Sequence, residues 1–132
     1  MSQADVAVVR GVFEAWNDGD LDSLASVLAD DVEWFEVGGR LDRPQTTGRE
    51  GLRAGLESLY DTWSSYRLEP EEVRDVGDRV LAVVREVARG RTSGLEVESR
   101  WGYVITVRGD RIARVEAYRD PRQALTAVEP ET

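Results

Sequence analysis

Trp34 and Glu36 stand two residues apart in the run Val32–Val37, where β-branched and aromatic residues predominate. Such a run reads as a strand, and alternate residues of a strand share a face. Val32, Trp34 and Glu36 therefore point one way, and Glu33, Phe35 and Val37 the other. Enclosure among aromatic rings raises a carboxyl pKa from about 4.3 towards the range useful to a general base. Glu36 is thus the leading candidate for proton transfer. It has few competitors, because the chain has no His and no Cys and all 17 of its basic residues are Arg. Imidazole bases, thiolate nucleophiles and lysine Schiff bases are excluded. Acid–base chemistry must rest on Asp, Glu, Tyr or water tuned by Arg. Arg85, on a later strand, is the cation expected either to hold a ligand carboxylate or enolate or to pair with an acid such as Glu36.

The same absences bear on metals and partners. Without His or Cys, only carboxylates and carbonyls remain as ligands, a set suited to Mg²⁺ or Ca²⁺ rather than zinc. No Asp cluster of calcium-loop spacing occurs, so neither metal nor cofactor is expected. A net charge of −9 repels phosphate backbones and anionic lipids, which argues against nucleic-acid and membrane partners. Trp16, Trp34, Trp63 and Trp101, with Tyr60, carry most of the large aromatic surface. Their spacing is what a core requires. Four Trp in one small domain also favour a pocket for an aromatic or polycyclic ligand.

These residues are positioned by a simple order of elements. The 132 residues fit one domain, 1–132, large enough to bury roughly two-thirds of its unfolded surface. Val6, Val9, Phe13 and Trp16 make the stripe of a helix over 3–17. Leu21, Leu24, Val27 and Leu28 suggest a second, short helix. The strand with Glu36 follows, then a polar loop over 38–48. Thr47 and Glu50 have capping-box spacing, so a third helix starts near Gly48, with Leu52, Leu56, Leu59 and Trp63 on its apolar side. Strands over 66–76, 79–89, 95–108 and 111–119 complete the chain, separated by Gly-containing turns. In the third of these Leu95, Val97, Trp101, Tyr103, Ile105 and Val107 share a face, while Glu96, Glu98 and Arg100 lie opposite, either in solvent or in a dimer interface. Asp120-Pro121 ends the last strand. No βαβ alternation occurs, so the sheet is expected to be antiparallel, with helices on one face. Val80, Ala82, Val84 and Val104 are expected on the other face, free to pack against a second copy. No apolar run approaches the roughly 18 residues of a membrane span, and the N-terminus lacks signal-peptide character. A cytoplasmic protein is expected.

Several local motifs occur in one order: Trp16-Asn17-Asp18-Gly19-Asp20-Leu21, Leu28-Ala29-Asp30-Asp31-Val32, Gly48-Arg49-Glu50-Gly51-Leu52, Val76-Gly77-Asp78-Arg79-Val80, Val107-Arg108-Gly109-Asp110-Arg111-Ile112 and Tyr118-Arg119-Asp120-Pro121. In this the chain resembles, over nearly its whole length, the nuclear transport factor 2-like superfamily, with its SnoaL-like and ketosteroid isomerase-like members. The resemblance implies an α+β fold. Its curved antiparallel sheet forms a cone-like half barrel, with about three helices on the concave side. It also implies an internal pocket and a homodimer through the sheet. The isomerase pattern places its general-base carboxylate at Glu36, counted from Ala29-Asp30-Asp31, and its buried proton donor near Tyr103. A phenol can donate to a developing oxyanion. The isomerase's tyrosine on the first helix falls near Val12, which cannot donate. The limonene-type epoxide hydrolase pattern keeps its arginine at Arg85, but Arg85-Glu86-Val87 and Ala117 lack its carboxylates. The polyketide cyclase pattern wants an acid facing the pocket from the last strand. Glu116 and Asp120 are near, yet the alternation of Val115 and Ala117 turns Glu116 outward.

Two functions follow as expectations. One is a cofactor-free isomerase, cyclase or dehydratase acting on a small hydrophobic carbonyl compound. Glu36 would move the proton, Tyr103 and Arg85 would stabilise the enolate, and Trp16, Trp34, Tyr60, Trp63, Trp101, Val115 and Ala117 would form the wall. The other is a non-catalytic ligand-binding or dimerisation module with the same pocket.

Overall fold

In the computed structural model of the chain, residues 2–36 and 46–128 are described. Helix α1 (Ser2–Asn17) buries Val9, Phe13 and Trp16 along the stripe that their spacing suggests. Gly19, at φ +71°, turns the chain out of it. Helix α2 (Leu21–Ser26) starts on Asp20, whose carboxylate accepts from the Ser23 N–H at 3.1 Å and the Ser23 hydroxyl at 2.6 Å. The helix is shorter than its apolar spacing suggests. Leu28 instead opens β1 (Leu28–Glu36), because the Val27 carbonyl already accepts from the Ile112 N–H at 2.8 Å on the last strand.

The expected loop over 38–48 falls largely on 38–45, outside the described residues. Its end forms a two-residue strand, β2 (Thr46–Thr47), antiparallel to β1. Helix α3 (Arg49–Thr62) follows Gly48 without a side-chain cap, so the Thr47–Glu50 capping box does not form. The Arg49 guanidinium fastens α3 to β1 by donating to the Leu28 carbonyl from Nε and Nη2, at 3.1 and 2.7 Å. Leu52 and Leu56 are buried. Trp63 is not the last member of that stripe; it opens β3 (Trp63–Asp75). Strands β4 (Val80–Gly90), β5 (Glu96–Arg108) and β6 (Arg111–Tyr118) follow, then helix α4 (Pro121–Val128).

The strands form one sheet in the order β2-β1-β6-β5-β4-β3. Sequential hairpins make β3 to β6 antiparallel, but β1 lies parallel to β6, so the sheet is mixed. Helix α3 and four strands, β2 to β5, separate β1 from β6, a connection long enough for parallel pairing. Bulges interrupt β3 between Pro70 and Glu72 and the β5–β6 pair at Thr106–Val107, and bulges bend the strands that carry them.

Helices α1, α2 and α3 cover the inner face. Val80, Ala82 and Val84 belong to the core beneath them, contrary to their expected place on an outer, dimer-forming face. Val104 does lie outward, with Leu81 and Tyr118, but α4 covers this patch through Ala124. In the sequence Asp120-Pro121 reads only as a strand end. It is also a helix start: Asp120 Oδ1 accepts from the Arg122 N–H at 2.9 Å, and Pro121 takes the first helical position. Leu95 and Val97, expected in the core, are instead 69% and 43% exposed. No helix among the described residues is long and apolar enough to cross a membrane.

Candidate functional site

A hollow lies between the helices and the inner face of the sheet. Its deep part, about 50 Å³, is walled by apolar groups that include Phe13, Leu24, Ile105, Ile112 and Val115. Its outer part, about 260 Å³, shares Trp16, Trp34 and Tyr103 with the deep part and adds Glu36, Tyr66, Glu86 and Trp101.

Strand register explains the arrangement. Glu36 pairs with Ala117 on β6, Ala117 with Tyr103 on β5, and Tyr103 with Ala82 on β4. One row across the inner face therefore carries a carboxylate and a phenol with an alanine between them. The small side chain of Ala117, which lines the outer part, leaves room for the hollow between them. The Tyr103 ring is set among Phe13, Trp34 and Trp101, at centroid distances of 6.2, 5.9 and 6.4 Å.

Tyr103 is 5% exposed, and its hydroxyl has no hydrogen-bond partner among the described residues. Burial, and then the negative charges of Glu86 and Glu36, hold its pKa above the usual tyrosine range. The phenol therefore stays protonated and can donate. Glu36 also lacks a hydrogen-bond or ion-pair partner among the described residues. The Trp16 Nε1 is also buried without a partner, so among the described residues two donors at the hollow lack acceptors.

Arg85 is not in this site. Even-numbered residues of β4 face the helices, so Arg85 lies on the outer face. It donates there to Glu98 from Nε at 2.9 Å and Nη2 at 2.7 Å, and to Glu69 at 3.2 Å. These partners raise its pKa further. The neighbour that lines the hollow is Glu86, which the sequence reading passed over. Glu86 accepts from the Tyr66 hydroxyl on β3 and from the Ser99 hydroxyl at 2.9 Å on β5. The available signal was Ser99, the one small polar residue on an otherwise apolar face.

The remaining expected residues divide. Trp16, Trp34, Trp101 and Ala117 line the outer part and Val115 the deep part. Trp63 packs on Tyr66 at 6.4 Å and is not in the wall. The Tyr60 side chain lies outside the described residues. Val12 lines the deep part, so the first helix offers methyl groups there. Glu116 points outward and accepts from Arg114 at 3.1 Å and Tyr118 at 3.0 Å. Among the described residues, no group of three His, Cys, Asp or Glu is placed to hold a metal ion.

Comparison with known proteins agrees with this architecture. A family model described as a SnoaL-like domain matches residues 9–115. Among solved structures, an NTF2-like protein of Burkholderia xenovorans is 28% identical, with a TM-score of 0.73 and 98% of each chain covered. A Xanthomonas campestris protein assigned provisionally as a polyketide cyclase is 25% identical, with a TM-score of 0.74, 97% of this chain and 98% of that chain covered. TerC, co-crystallised with polyporic acid, is 20% identical, with a TM-score of 0.75, 96% of this chain and 99% of that chain covered. No curated protein matches. Motif order, sheet topology and a family match over most of the chain coincide: the protein belongs to the SnoaL-like domain family and has the NTF2-like, ketosteroid isomerase-like fold.

Proposed function

We propose that the hollow binds a small hydrophobic carbonyl compound and that the protein catalyses proton transfer on it without a cofactor, as an isomerase, cyclase or dehydratase. The observation that carries this reading is the row Glu36–Ala117–Tyr103, in which a base and a neutral donor flank an empty apolar space. Glu36 removes a proton from the carbon next to the carbonyl. The Tyr103 hydroxyl, unpartnered among the described residues, donates to the oxygen that becomes negative. The enolate then takes the proton back at another carbon, loses a leaving group, or attacks a second carbonyl. Trp16, Trp34 and Trp101 enclose the flat body of the ligand. Arg85, paired on the outer face, takes no part. TerC shares the fold and was co-crystallised with a small molecule, polyporic acid, which accords with ligand binding in this fold.

The test is hydrogen–deuterium exchange next to the carbonyl of hydrophobic cyclic ketones in D₂O, followed by NMR. The native protein should accelerate exchange, and Glu36→Gln should slow it by about a hundredfold or more. Exchange that is unchanged in Glu36→Gln would remove Glu36 as the base. Ketones that bind but do not exchange would instead identify a non-catalytic binding module. We also propose that the protein is a homodimer, joined through the outer face of β3 to β5 that α4 leaves uncovered. A monomer in light scattering at micromolar concentration would contradict this.

A further inference from the structure

Glu86 gives the hollow a second carboxylate, and its setting differs from that of Glu36. Each Glu86 oxygen accepts one hydroxyl, from Tyr66 or from Ser99. A carboxylate pinned from both sides is fixed in place and keeps a second lone pair on each oxygen for a ligand. Glu36 has no such partner among the described residues. One carboxylate is therefore held in one orientation, and the other is not.

The walls around Glu86 match a stationary negative charge with π faces. Trp16, Trp34, Tyr66, Trp101 and Tyr103 border the outer part of the hollow, and no Arg lines it among the described residues. Aromatic faces attract cations, most strongly when desolvated. The net charge of −9 draws cations towards the protein as a whole. The Tyr103 hydroxyl, without a hydrogen-bond partner among the described residues, supplies the separate polar contact that a ligand must satisfy.

We propose that the hollow selects hydrophobic ligands that carry a protonated amine, with the ammonium held by Glu86 among the aromatic rings and the apolar body in the deep part. The proposal rests on the reading of the hollow as a binding site and narrows its ligand to an amine-bearing compound. A carboxylate-bearing ligand of the same shape is rejected, because it would bring a third negative charge next to Glu36 and Glu86.

Three probes of nearly equal shape test this: phenethylamine, phenethyl alcohol and hydrocinnamate, titrated by calorimetry or by ligand-observed NMR near neutral pH. The amine should bind at least about tenfold more tightly than the alcohol, and hydrocinnamate should bind more weakly than either. Glu86→Gln should cut amine affinity by about tenfold, and by more than it cuts alcohol affinity, with an unfolding midpoint close to that of the native protein to show that the variant keeps its fold; an equal loss for amine and alcohol would overturn the role of Glu86. Equal binding of amine and alcohol, or preference for hydrocinnamate, would overturn the selectivity while leaving the binding site intact. Binding by none of the three would overturn the selectivity and the binding-site reading together.

Discussion

Gly102 of β5 and Ala124 of α4 compete for one space: a Cβ added at Gly102 would stand 2.5 Å from the Ala124 methyl and 3.0 Å from the Pro121 Cα. The absence of a side chain at Gly102 is what lets α4 lie flat on the outer face, over Leu81 and Val104. Gly102→Ala should therefore lift the helix and lower stability by about 1–3 kcal/mol, as overpacking does. Thermal unfolding would measure it. Adding Ala124→Gly should recover part of the loss, since the Pro121 contact remains. An unchanged unfolding midpoint would show that α4 is not seated there.

Tyr103→Phe separates a catalytic hydroxyl from a structural one. The hydroxyl makes no hydrogen bond among the described residues, so its removal should leave stability within about 0.5 kcal/mol of the native protein. Turnover on a ketone substrate should fall by about a hundredfold, as loss of an oxyanion donor does. A large loss of stability with turnover retained would reverse the assignment.

Alkaline pH should destabilise the protein through its buried phenols. Burial and the Glu116 acceptor push the Tyr118 pKa up to about 12. Tyr66 and Tyr103 are raised as well, each chiefly by burial. A phenol whose folded pKa lies above its unfolded value of about 10 stabilises the fold fully below pH 10. That contribution is lost as pH rises through the folded value. For Tyr118 the window runs from about pH 10 to about 12. Tyrosinate absorbance should show at least three phenols titrating late, with unfolding close behind. Titration of all tyrosines together near pH 10 in a still-folded protein would refute this.

The order of α1 to α3 and the five long strands is legible because helix stripes and Gly-containing turns are local signals, whereas β2 and α4 are not foreseen. What could not be read was parity. Val80-Leu81-Ala82-Val83-Val84 is apolar at every position, since α1–α3 bury one face of β4 and α4 shields part of the other. An unbroken apolar run carries no alternation, so nothing local says which residues face inward. That one-residue ambiguity placed Arg85 in the site and hid Glu86. Glu36 suffers no such ambiguity, because the two residues before it alternate: Trp34 lines the hollow, whereas Phe35 lies under the Arg114 guanidinium on the outer side, 4.2 Å from ring centre to Cζ. Leu28 shows a different limit. Its helical spacing with Leu24 was real, but a hydrogen bond from distant Ile112 decided its state.

The parallel pairing of β1 with β6 also sets a condition on how the chain reaches its native state. Leu28 and Trp34 find their partners at Ile112 and Val115, most of the chain away. Such a contact closes a long loop before it returns any stabilisation, and topologies rich in contacts of this kind fold slowly, on the order of milliseconds to seconds. The strand that carries Glu36 has only Thr46–Thr47 beside it until β6 arrives. Glu36 and Tyr103 share a row only through Ala117 of that last strand, so the hollow they border requires the β1–β6 pairing to be in place.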